Sequence, residues 1–110
     1  MTRYLAPAAL VIALAAPVLA QPALSVDDAV PLLERIWTAE GCAFDFANRP
    51  ERELGALIAA ELGVETDAVM DRDGPYFHVI DDALERMADD GSFDWNDETG
   101  LITLVDCAAQ

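Results

Sequence analysis

The chain contains no lysine, and its six basic residues are all arginine. Against them stand 21 aspartates and glutamates, a formal net charge of −15 at pH 7. Nucleic acids and anionic membranes are held by clustered cations that displace counterions, so a surface of this sign excludes both as partners. Histidine is scarce too, with His78 alone. One imidazole and two cysteines fall short of the His and Cys sets that close a zinc site. Serine occurs only as Ser25 and Ser92, the first placed to cap a helix and the second at the entry of a hairpin. No Ser-His-Asp set is therefore expected, and the chain is read as a non-enzyme without a cofactor. Repeats and low-complexity stretches are also missing, and an apolar share of 54% opposes disorder.

What is present begins at the N-terminus. Arg3 precedes an apolar run from Leu5 to Leu19, which closes on the small-residue ending Val18-Leu19-Ala20. That order of basic, apolar and small residues predicts a signal peptide over 1–20. The run is short of the roughly 20 residues a membrane span needs, and Pro7 and Pro17 interrupt it. The expected product is periplasmic or secreted, starts at Gln21 and has no membrane attachment after cleavage. It comprises a flexible segment over 21–27 and a single small globular domain over 28–110. Export to an oxidising compartment predicts a disulfide between Cys42 and Cys107.

Hydrophobic periodicity then predicts three long helices. The first runs from near Asp28 to about Glu40, capped by Ser25 or Asp28, with Pro31 in its first turn. Its buried stripe is Ala29, Val30, Leu33, Ile36 and Trp37, and Gly41 ends it. Phe44 and Phe46 follow in a short segment expected to pack beneath it. Asn48 and Glu51 have the form of a capping box for a second helix, whose stripe is Leu54, Leu57, Ile58 and Leu62, with Gly63 as the stop. Thr66 is expected to cap a brief helix through Met70. The last long helix spans about Pro75 to Asp90, burying Phe77, Ile80, Ala83, Leu84 and Met87 and turning His78, Asp82, Glu85 and Asp89 outward. Alternation around Phe93 and Trp95, the polar turn Asn96 to Gly100, and the β-formers Leu101 to Val105 predict a hairpin with Gly100 left-handed. The predicted fold class is α+β, a three-helix core with a C-terminal β-hairpin and one disulfide.

Ile58 to Val69, with Ala59, Gly63 and Val69 at characteristic positions, resembles a helix-turn-helix core. Ala83 to Phe93 followed by the hairpin to Val105 is similar to the last helix and wing of winged-helix domains. The resemblance implies a winged-helix-like arrangement. It does not bring DNA binding with it, because the matching stretch offers Glu65, Asp67, Asp71 and Asp73 against Arg72 as its one cation.

His78 and Asp82, four apart on one helical face, have a spacing that orients an imidazole toward a carboxylate, but no further catalytic partner accompanies them. Two acidic runs attract hard cations: Asp67, Asp71 and Asp73 before Gly74, and Asp94, Asn96, Asp97 and Glu98 before Gly100. Neither has the ligand spacing of a calcium loop, and no metal ligand is assigned. The functional expectation is an acidic, noncatalytic binding or accessory module for an unknown partner protein, with the charge favouring a basic one. The alternative is a calcium-binding protein using the acidic loops.

Overall fold

The computed structural model describes residues 23–108. The signal peptide expected over 1–20 and the start at Gln21 lie outside the described residues. Helix α1, Val26–Ala39, is opened by Ser25, whose Oγ accepts the Asp28 N–H at 3.1 Å; Asp27 and Asp28 in the first turn complement the helix dipole. This cap corrects the expected start near Asp28. Because Ser25 wins, Pro31 lies inside the helix rather than in its first turn, and the N–H it lacks leaves the Asp27 carbonyl without its helical donor. Both residues are exposed, which limits that cost. The buried face is Ala29, Leu32, Leu33, Ile36 and Trp37, so Leu32 takes the place expected for the half-buried Val30.

Gly41 at φ +92° and Cys42 at φ +73° turn the chain sharply out of α1, with the Cys42 N–H donating to the Trp37 carbonyl at 2.7 Å. Strand β1, Ala43–Asp45, follows. It is held by non-local pairing, which explains why periodicity over so short a run missed it.

Helix α2, Glu51–Leu62, begins without the capping box. Asn48 instead donates its side-chain N–H to Asp45 Oδ2 at 2.6 Å, and Asp45 Oδ1 accepts the Ala47 N–H at 3.0 Å. The side chain expected to cap is consumed in the preceding turn. Gly63 ends α2 as expected, at φ +73° with its N–H on the Ala59 carbonyl at 2.8 Å. In α3, Thr66–Met70, Thr66 is the first helical residue and Glu65 holds the cap position, so the expected Thr66 cap is corrected. The turn through Gly74 reaches further than expected, and α4 covers Phe77–Asp89. It buries Ile80, Ala83 and Met87, whereas Phe77 and Leu84 are half-buried.

Strands β2, Phe93–Asn96, and β3, Leu101–Leu104, form the expected hairpin. Asn96 Oδ1 accepts the N–H groups of Glu98 and Thr99, and Gly100 sits at φ +76°. β1 pairs antiparallel with β3 through Phe44 opposite Ile102, and β2 pairs antiparallel with β3 through Trp95 opposite the same Ile102. The sheet order is β1-β3-β2. Among the described residues the fold is thus α+β, with the three long helices and the brief α3 that were expected, but with a three-stranded sheet where a hairpin alone was expected. Phe44, Phe93, Ile102 and Leu104 form the buried sheet face, and α1 packs on both the sheet and α4. Cys42 and Cys107 are joined, with Cα atoms 5.8 Å apart, tying the end of α1 to the end of the sheet.

Candidate functional site: an apolar cleft with acidic lips

Strand alternation places Trp95 on the same face as Phe93 and Ile102. Phe93 is buried by the helices, but Trp95, nearer the hairpin turn, remains 45% exposed. At this end of the sheet lies a cleft of about 390 Å³, within the roughly 300–1,000 Å³ range of ligand clefts. Its floor is Phe46, Trp95, Gly100 and Ile102. Leu54, Gly55 and Ile58 of α2 form one wall, and Phe77, Ile80 and Leu84 of α4 form another. Val69 and Met70 of α3 close the end. A Cβ at Gly55 would meet the Met70 sulfur at 2.5 Å, so the missing side chain lets this flexible thioether lie against α2.

The charged residues of this lining are Glu51, at the start of α2, and Asp81, one turn into α4. Both are exposed, and among the described residues neither has a hydrogen-bond or ion-pair partner. The arginines are engaged elsewhere. Arg49 bridges Glu40, at 2.8 Å, and Glu53 while covering the Phe44 ring at 4.2 Å; the hydrogen bonds it donates to Glu53 first and Glu40 second raise its pKa. Arg35 pairs with Glu61, Arg52 with Asp67, and Arg86 with Asp27. Arg72 lies over the Phe77 ring at 5.0 Å, and is the one described arginine without a carboxylate partner.

Other residues singled out from the sequence do not converge. His78 is exposed, stands edge-on to Phe77 with ring centroids 5.6 Å apart, and makes no hydrogen bond to Asp82 among the described contacts. Asp67 is taken by Arg52, and Asp71 Oδ1 accepts the N–H of Asp73 at 2.9 Å, closing its own turn. Asn96 is likewise spent on the hairpin turn. Among the described residues no three His, Cys, Asp or Glu side chains gather as a metal site, and no polar side chain is buried. Nor is any described helix long and apolar enough to cross a membrane.

Sequence reasoning placed Phe77 and Leu84 in the core, read Glu51 only as half of a capping box and did not single out Asp81. A signal was present. Glu51 has Leu54 and Gly55 at the helical i+3 and i+4 positions, and Asp81 has Phe77 and Leu84 as its neighbours, so each acid sits on an apolar stripe instead of beside an arginine. Compared with protein-family models, with curated proteins and with solved structures, the chain finds no match.

Proposed function

We propose that this protein is an exported, noncatalytic binding module for a basic partner protein, built on a winged-helix-like arrangement. The observation that carries the reading is the imbalance left after internal pairing. The described arginines are committed to carboxylates or to a ring, while most of the 21 acids lie outside those pairs. Such a surface steers a cationic partner and repels further copies of itself. The leader-like N-terminus and the disulfide support export. A winged-helix-like reading is supported by the helices α2 and α3 packed across Gly63 and by a hairpin following the last helix. The loop through Gly74 and Pro75 between α3 and α4 departs from that pattern.

Calorimetric titration of the mature chain with a nona-arginine peptide tests the reading. Saturable binding at about 0.01 M salt should weaken steeply by about 0.15 M, as the screening length falls from about 30 Å to about 8 Å. Absence of binding at the low-salt end would remove the electrostatic basis of the proposal. A parallel calcium titration giving a saturable, stoichiometric heat would favour a cation-binding function instead.

A further inference from the structure

We infer that the cleft between Trp95 and the first turns of α2 and α4 is where the partner docks, and that its occupant is a segment of the partner chain carrying a bulky apolar side chain flanked by arginines. This rests on the reading of the protein as a module for a basic partner and names the place and the chemistry.

The walls supply the apolar half. Phe77 and Leu84 are half-buried in the lining, Met70 offers an adaptable surface, and Trp95 is partly exposed. Tryptophan is among the side chains enriched at the energetic centres of interfaces. The lips supply the polar half. Glu51 and Asp81 sit on two different helices, each unpaired among the described residues and each beside apolar side chains, so closing the cleft over a purely apolar ligand strips water from two carboxylates without compensation. A guanidinium on either side of the apolar anchor answers both, through a charge-assisted pair to the carboxylate.

Charge decides between this occupant and the others. A second copy of the chain brings another −15 and two more carboxylates to the same lips. An anionic or neutral apolar ligand leaves Glu51 and Asp81 opposed or unpaired. The cationic amphipathic segment is the occupant that satisfies walls and lips together.

The test uses the whole mature chain and three short amidated peptides: arginines flanking Leu-Phe-Leu, the same arginines flanking Ser-Gly-Ser, and glutamates flanking Leu-Phe-Leu. Binding is read by calorimetry and by tryptophan emission, to which Trp95 contributes from the surface while Trp37 is fully buried. The arginine Leu-Phe-Leu peptide should bind at least about tenfold more tightly than the Ser-Gly-Ser peptide, the ratio expected from burying large apolar side chains. Trp95→Ala should abolish that advantage while leaving the Ser-Gly-Ser peptide unaffected. Glu51→Gln with Asp81→Asn should weaken the first peptide about fivefold, as expected for exposed ion pairs. The same charge change at Asp82→Asn with Glu85→Gln, on the outer face of α4, should weaken it by clearly less, through the general loss of surface charge alone. Equal binding of both arginine peptides, or equal effects of the two double variants, overturns the cleft and leaves the acidic surface as the whole of the recognition. No binding by either arginine peptide at low salt overturns the parent reading as well. Tight binding of the glutamate peptide, or sedimentation as a dimer that buries Trp95, assigns the cleft to a different occupant and overturns the inference.

Discussion

The indole N–H of Trp37 donates to the backbone carbonyl of Ile102 at 2.9 Å, across the centre of the core. The bond joins α1 to the middle strand at the residue that pairs with both Phe44 and Trp95. Trp37 also packs on Phe44 and Phe93, with ring centroids at 5.7 and 4.7 Å, so a single side chain locks the helix to the sheet. Trp37→Phe removes the donor, leaves the Ile102 carbonyl without this partner and opens a small void. The expected loss is about 2–3 kcal/mol in urea unfolding, with the slope of the transition unchanged. A loss well under 1 kcal/mol would mean that the carbonyl finds another donor.

The disulfide supports a second prediction with an internal control. Closing a loop across a sequence separation of 65 residues contributes about 4 kcal/mol on the chain-entropy model. Reduction should therefore lower the melting temperature strongly. Cys42 also occupies a left-handed backbone position, φ +73°, that costs a residue with a side chain roughly 1–2 kcal/mol. Among disulfide-free variants, Cys42→Gly with Cys107→Ala should accordingly be the more stable, by about 1 kcal/mol, than Cys42→Ala with Cys107→Ala. Equal stabilities would show that the turn relaxes once the bond is gone.

How much of this was legible beforehand depended on how local each cause was. The Gly63 stop and the Gly100 turn rest on a few adjacent residues and were readable, whereas Ser25 was one of two caps left open. Pro31 misled because its preference for a first turn competes with a cap that it does not touch. The Asn48 capping box failed because Asp45 offered the same side chain a closer partner. Strand β1 has no local signature at all, since Ala43–Asp45 becomes a strand by pairing with residues near the other end of the chain. The cleft is likewise a product of assembly. Phe77 and Leu84 carry the helical spacing of core residues, and only the placement of the sheet leaves them walling an opening.

Asp90, just after α4, provides a pH-dependent test. Hydrogen bonds from Ser92, its side chain first and its backbone N–H at 2.9 Å second, hold the Asp90 carboxyl below the usual aspartate range, with Arg86 adding a smaller attraction. A folded pKa below the unfolded one contributes stability that is fully present above the unfolded value and is lost as pH falls through the folded value. Asp90→Asn should therefore be less stable than the parent at neutral pH, and the two should converge in acid. Urea midpoints measured across the acid limb check this, and a gap that persists or widens as pH falls would contradict it.

The last prediction concerns the excess charge itself. Among the described residues five ion pairs link arginines to carboxylates, and all but those of Arg49 join largely exposed side chains, which places their individual contributions at about 0–1 kcal/mol. The remaining acids share the surface of a small domain with no lysine in the chain to offset them. Repulsion among them opposes the compact state, and salt screens it. The melting temperature should rise between low salt and about 0.5 M sodium chloride, even though the same salt weakens the ion pairs. For a domain of this size, each 1 kcal/mol of relief corresponds to roughly 4–8 °C. Calcium chloride at equal ionic strength separates general screening from a dedicated site. Because no three acidic side chains gather among the described residues, calcium should match sodium apart from the stronger screening of a divalent ion, with no saturable midpoint in its concentration dependence. A melting temperature that stays flat or falls with sodium chloride would show that pairing by Arg35, Arg49, Arg52 and Arg86 outweighs repulsion, and the acidic face would then be an organised network already satisfied within the fold.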